Sequence, residues 1–306
     1  MNLHHLRLFA AVVNHGGFTK AAESLRLSQP AISKSLNELE RQLNLALIDR
    51  SGRSIRLTDA GKTLYARARE LFGVEWIAEQ ELREIRGLKR GILRIGASTT
   101  IATYMLPPFL GRFHLRHPRI RIRASSANTR TVLRMLLESR VDIALVEGPV
   151  SHPRVEVSPW REDELVVISH PEHALRSRSD VDVEMLVQEQ FIVREPGSGT
   201  RDVSARALAL HGARLTNTIR VGGTEAIKQA VAAGLGLAIV SRAAADDQLA
   251  LGRIAVISVN GLTIRRTLAQ IKLRGRVTTA AARELEFLLA EPPAVESVGD
   301  ASGTPS

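Results

Sequence analysis

The sequence predicts a mixed α/β chain in three parts: a small helical head, one long helix and a large body of alternating strands and helices. Three observations carry this. Residues 17–59 hold two short amphipathic helices joined by a polar turn and followed by an arginine-bearing hairpin. Residues 58–89 contain no proline and repeat apolar side chains every seven residues. From Gly91 onward, short apolar strands alternate with helices.

In the head, Leu3, Leu6, Phe9, Ala10 and Val13 make one apolar stripe. Phe18, Ala21, Ala22 and Leu25 make a second. Arg26, Leu27 and Ser28 interrupt, and Ser28 is placed to cap a third helix with Pro30 in its first turn. Ile32, Leu36, Leu39 and Leu43 face that helix inward. Its outer face begins with Gln29, Ser33, Lys34 and Asn37, side chains able to bond base edges or phosphates. A helical hairpin with a merely solvated face would show the same periodicity. Residues 50–56, RSGRSIR, tip the balance: a hairpin with a glycine tip and three arginines suits a phosphate or minor-groove wing. Together these describe a winged helix-turn-helix whose third helix enters the major groove.

The segments LHHLRLFAAVVNHGGFTKAAESL, LSQPAISKSLNELERQLN and LIDRSGRSIRLTDAGKTL resemble the N-terminal domain of LysR-type transcriptional regulators, and the resemblance runs to about residue 290. Gly17 stands where many members carry Ser, and glycine still serves as an N-cap. The candidate DNA-binding residues are Thr19, Ser28, Gln29, Pro30, Ser33, Lys34, Asn37, Arg50 and Arg53.

Leu57, Leu64, Leu71, Ala78 and Ile85 recur every seven residues in the long helix, with Ala68 and Leu82 between. Roughly 30 residues at 1.5 Å each span about 45 Å. Glu75 interrupts the seam. A helix this long has no small domain of its own to bury it, so Leu64, Leu71, Ala78, Leu82 and Ile85 are candidate dimer contacts; packing on its own domain is the alternative. The resemblance implies an antiparallel pairing of linker helices in a dimer or tetramer.

The body reads as strand 92–96, a helix through Leu115, strand 119–126, helix 129–140 and strand 141–146. Strand 191–193, a helix to about His211, strand 219–222, helix 224–233 and strand 237–240 follow. Such alternation predicts α/β subdomains with mostly parallel sheets. The resemblance implies a two-lobed domain like a periplasmic binding protein, with a ligand cleft. The expected divisions are a head at 1–58, a linker at 59–89 and an effector domain at 90–290. Lobe 1 covers about 91–160 and 266–290, lobe 2 about 161–265, and 291–306 is a disordered tail rich in Pro, Gly, Ser and acid.

Ligands in open α/β sheets sit beyond the carboxyl ends of strands, where helix N-termini offer free N–H groups. Ser98, Thr99, Thr100, Asn128, Thr129, Glu147, Ser198, Thr200, Arg201 and Thr224 all fall at such ends and form the candidate effector-binding set. Plain helix capping is the competing explanation for each hydroxyl. The segments FIVREPGSGTR and GGTEAIKQAVAAGLGLAIV are most similar to the family branch of the Calvin-cycle (RuBisCO operon) and sulfur-assimilation regulators, which points to a small anionic effector.

Composition narrows the classes. With no cysteine in 306 residues, disulfides and thiolate chemistry are excluded. No apolar run is long enough to span a membrane and no signal-peptide pattern is present, so the expectation is a cytoplasmic protein without membrane partner, metal or cofactor. The net charge of +10 is a poor guide, because residues 91–290 carry 27 basic against 19 acidic residues while residues 1–60 carry 8 against 5. Arginine outnumbers lysine 36 to 6, as a GC-rich genome alone would produce. The PGSGT segment lacks the Gly-Lys-Ser/Thr ending of a phosphate loop, and Ser198 sits in no Gly-x-Ser-x-Gly elbow. His114 and His117 have no acidic companions for a metal, and His4 and His5 read as surface residues. The expected function is regulation of transcription by a ligand-responsive protein, with promoter DNA, an anionic effector, a second copy of itself and RNA polymerase as partners. An enzyme built on the body and a nucleoid-structuring protein are the rivals; the first lacks a nucleophile–base pair, and the second predicts equal affinity for random and promoter DNA.

Overall fold

The computed structural model describes residues 1–49, 55–85 and 91–291. Arg50 and Arg53 lie outside the described residues, as does residue 292 onward.

Three helices build the head: α1 (Leu3–His15), α2 (Phe18–Leu25) and α3 (Gln29–Leu43). Side chains cap the starts of α1 and α3, and left-handed residues end all three helices. The Asn2 side chain accepts the His4 N–H at 2.8 Å, and Gly16 closes α1 at φ 68°. Ser28 Oγ accepts the Ala31 N–H at 3.3 Å to start α3. Leu6, Phe9, Val12, Ala21, Ile32, Leu36 and Leu39 fill one core. Strands β1 (Ile48–Asp49) and β2 (Arg56–Leu57) pair antiparallel at the base of the wing.

Helix α4 (Asp59–Ile85) leaves the head directly. Thr58 Oγ1 caps its first turn, accepting the Gly61 N–H at 3.0 Å. The seam divides in two. Leu64 packs with Tyr65 and Phe72 against the head core and is half-buried there. Leu71, Val74, Ala78 and Leu82 are exposed at three- and four-residue spacing, and Val74 was absent from the heptad reading. The Ile85 side chain lies outside the described residues. Glu75 is no defect in this stripe, because it binds Arg7 of α1 at 2.5 Å.

The body has two lobes. Strands β3 (Gly91–Ser98), β4 (Ile120–Ala127) and β5 (Ile143–Val146) carry lobe 1, covered by α5 (Pro107–Arg116), α6 (Thr129–Leu137) and α11 (Ala280–Ala290). Lobe 2 holds α7 (Val183–Gln188), β7 (Phe191–Val193), α8 (Gly199–Leu210), β8 (Thr218–Arg220), α9 (Thr224–Ala232), β9 (Ala238–Ser241), α10 (Arg242–Ala250) and β10 (Ala255–Ile257). Two long strands, β6 (Val155–Ser169) and β11 (Ile264–Leu273), run through both lobes.

The sheet is therefore mixed, which corrects the expectation of mostly parallel pairing. β3 pairs parallel with β4 and β5, and β7 with β8, but β6 and β11 pair antiparallel with each other and with β5, β9 and β10. Both long strands escaped the sequence reading because charge sits at their buried positions. Arg266 is 5% exposed and donates to Asp163 at 2.7 Å, and Glu147 completes the cluster. Opposite charges at close range satisfy one another inside, where either alone would be very costly. At the other end, Glu291, expected in the tail, is tied to Arg116 at 3.0 Å. No helix among the described residues is long and apolar enough to cross a membrane.

Candidate functional site

Two surfaces bear on function. On α3, Gln29, Pro30, Ser33, Lys34 and Asn37 share one outward face with Glu38 and Arg41, whose charges are paired at 2.7 Å. The buried Ile32, Leu36 and Leu39 on the opposite side fix that orientation. Ser28 stands at the start of the same helix as its cap, and Thr19 is exposed in the first turn of α2.

The second surface is the seam between the lobes, where strand ends and helix starts meet. Asn128 Oδ1 accepts the Thr131 N–H at 3.0 Å to cap α6, while its Nδ2 donates across the seam to Glu195 at 3.2 Å. The Arg130 N–H donates to the Gly197 carbonyl at 3.2 Å. Gly197 has φ +92°, and a Cβ there would meet the Arg130 side chain at 2.9 Å. Gly199 lies closer still: an added Cβ would fall 1.8 Å from the Glu147 carbonyl oxygen.

Arg194 is the hub, and the candidate set omitted it. Only 4% exposed, it donates to Glu195 at 2.9 Å, to Thr224 Oγ1 at 3.0 Å and across the seam to Thr99 Oγ1 at 3.4 Å. The guanidinium beside Glu195 lowers that carboxyl to a pKa of about 2. The signal was present as an adjacent Arg-Glu pair at the end of β7, but its inward direction depends on the lobe above it. A clasp of Tyr104, Glu225 and Lys228 was also missed. Tyr104 of lobe 1 hydrogen-bonds Glu225 of lobe 2. Lys228, fully buried, donates to the Ala244 carbonyl at 2.6 Å and to Asp247 at 2.8 Å, with its Nζ 4.8 Å from the Tyr104 ring centroid.

The candidate effector residues separate into two groups. Ser98, Thr100 and Ser198 are buried to within 1% exposure, and none of their hydroxyls has a protein partner. Buried hydroxyls ordinarily find a partner, and Ser204, in lobe 2, shares this condition. Glu147 and Thr200 differ in having protein partners. Thr200 Oγ1 donates to Glu147 at 2.9 Å and accepts from Arg266 at 2.9 Å, so both are engaged in pinning the lobes. Thr129 donates to the Glu147 carbonyl at 2.8 Å. Arg201 donates to the Arg194 carbonyl at 3.3 Å and lines a cavity of about 550 Å³ inside lobe 2 with Phe191, Ser204 and Leu208. No cluster of three His, Asp or Glu suited to a metal occurs among the described residues.

A winged helix-turn-helix head joined by a long helix to a two-lobed ligand domain defines a DNA-binding transcription regulator controlled by a small molecule. Residues 3–62 match the bacterial regulatory helix-turn-helix model of the lysR family, and residues 86–292 match the LysR substrate binding domain. The chain is 34% identical over 292 residues to a RuBisCO operon transcriptional regulator of Allochromatium vinosum, covering 95% of this chain and 96% of that one. Full-length OxyR from Pseudomonas aeruginosa is similar in fold, with a TM-score of 0.72 at 24% identity over 94% of this chain and 93% of that one. The regulatory domain of Synechocystis CcmR, solved in complex with 2-PG, aligns at TM-score 0.60 and 27% identity over 66% of this chain and 97% of that one. The chain belongs to the LysR family of transcriptional regulators, and it is not an enzyme.

Proposed function

We propose that this regulator binds promoter DNA through α3 and the wing as a dimer or tetramer, and responds to a small anionic metabolite between its lobes. On this reading residues 1–58 are the DNA-binding head, 59–89 the dimerising linker and 90–290 the effector domain, at work in the cytoplasm. The observation that carries the effector reading is the trio of buried, unpartnered hydroxyls at Ser98, Thr100 and Ser198. The N-termini of α8 and α9, which have no side-chain cap, lie at the same strand ends, and their N–H groups favour an anion. Arg194 supplies positive charge, with its donors already spent on Glu195, Thr99 and Thr224. On this reading the ligand is held by hydroxyls and backbone N–H groups, beside an Arg194–Glu195 pair whose charges offset one another. The 2-PG bound by the CcmR domain is of this chemical class. Closure on such a ligand alters the spacing of the two heads, and with it DNA bending or polymerase contact, to the extent that the ligand prefers one arrangement.

Calorimetric titration with 2-PG, inorganic phosphate and sulfate tests this. Thr100→Val keeps the side-chain size and removes one donor, so it weakens binding of the anion by roughly 1 kcal/mol or more. Ser98→Ala acts in the same direction, while operator binding without anion is retained in both. Wild-type affinity in both variants would place the effector elsewhere.

A further inference from the structure

One cluster plays no part in DNA reading or in the seam between the lobes: the turn at residues 138–140 that closes α6. Glu138 is the C-cap residue of α6. Ser139 is 8% exposed and sits at φ 55° in the left-handed turn that ends α6, where the Ser139 N–H donates to the Leu136 carbonyl at 2.9 Å and the Arg140 N–H to the Met135 carbonyl at 2.9 Å. Its side chain packs against α4. Gly73 lies in the interior of that helix, where glycine is a poor choice, and a Cβ there would fall 2.8 Å from Ser139 Cβ and 3.0 Å from its Oγ. On either side, Arg69 of α4 binds Glu138 at 2.7 Å and Glu70 of α4 binds Arg154 at 2.6 Å. One ion pair and a close approach therefore seat the linker helix on this turn, and a second ion pair ties it to Arg154 just before β6.

The opposite end of α6 lies in the seam. Its cap Asn128 and its second residue Arg130 both bond the 195–197 segment of lobe 2, and Thr129 bonds the Glu147 carbonyl. Nine residues at 1.5 Å each make α6 a rod of about 13 Å. We propose that α6 is the transmission element of this regulator, carrying the position of lobe 2 through the Ser139–Gly73 contact to the linker helix and so to the head. The proposal rests on the effector reading for what moves lobe 2, and on these contacts alone for the path. Glu138 and Ser139 are positioning residues that touch neither DNA nor effector.

The absence of cysteine allows a selective lock. In the full-length double variant Gly73→Cys/Ser139→Cys, oxidation joins the two positions within one subunit, and mass analysis under non-reducing conditions verifies the bond. The readout is energy transfer between dyes at the ends of a promoter fragment located by footprinting, titrated with 2-PG or inorganic phosphate. The oxidised protein is expected to bind the anion within about threefold of wild type yet show no anion-dependent change in DNA bend, and reduction restores the change. A wild-type bend response in the oxidised form overturns the proposal; a Cβ at position 73 falls 2.8 Å from Ser139 Cβ, short of disulfide geometry, so where the cysteines do not join the charge-swap arm below decides.

If wild type binds neither anion, the effector reading fails, and a second arm decides the path without any solute. Arg69→Glu is expected to shift operator affinity or bend by about threefold or more, with Arg69→Glu/Glu138→Arg restoring it. No shift, or no restoration, overturns the coupling.

Discussion

The Arg194–Glu195 pair makes a single-residue effect readable by pH. The neighbouring guanidinium lowers the Glu195 carboxyl to about 2 in the folded protein, against an ordinary value near 4.3 in an unfolded chain. A depressed folded value stabilises the protein above the unfolded one, and that contribution is lost as pH falls from about 4.3 towards 2. Glu195→Gln is therefore expected to be less stable than wild type at neutral pH, with the gap in urea midpoint closing as the solution is acidified. A gap that is constant with pH would remove the ion pair as its cause. Arg194 and Glu195 were both visible in the sequence, but a strand end does not reveal whether its charges face solvent or a second lobe.

At the scale of elements, α3 and α4 each present a face with a stated use. Gln29 and Ser33 lie one turn apart on the exposed face of α3. Gln29→Ala is expected to cost about 1–3 kcal/mol at particular base pairs, seen as a narrowed gap between operator and random DNA. Lys34→Ala should weaken both DNAs together and flatten the dependence on salt, since a phosphate contact releases counterions whatever the sequence. Equal losses on both DNAs for Gln29→Ala would make that residue a backbone contact. On α4, the exposed stripe of Leu71, Val74, Ala78 and Leu82 is the surface a second copy covers under the proposed function. Leu71→Glu places a charge there and should dissociate the dimer at micromolar concentration. Light scattering decides: an unchanged mass excludes this stripe as the interface. Heptad spacing alone groups Leu64 with this stripe, because periodicity places a residue on a face without saying whether that face meets its own domain or a partner.

For the whole molecule, the proposed effector response turns on the relation between the lobes. The lobes meet closely where Gly199 lies against the Glu147 backbone, a space no side chain can enter. Gly199→Ala is expected to hold them apart, weakening anion binding by tenfold or more, about 1.4 kcal/mol, while operator binding without anion persists in the separate head. Calorimetry and a DNA shift assay on the same preparation test both halves, and anion affinity equal to wild type would show that closure at this point is not required.

Local pattern by itself determined the helical head, the cap at Ser28, the outward polar face of α3 and the strand ends where the lobes meet. Each of these is written in residues a few positions apart, within reach of hydrogen-bond and periodicity rules. Tertiary structure decided what depends on distant partners. Strands β6 and β11 carry charge at buried positions, and only the meeting of Asp163 with Arg266, 103 residues apart, makes that burial tolerable. The same packing commits Glu147 and Thr200 to pinning the lobes and leaves Ser98, Thr100 and Ser198 without partners. Whether a buried polar group is satisfied depends on every element packed against it, and no stretch of sequence holds that information on its own.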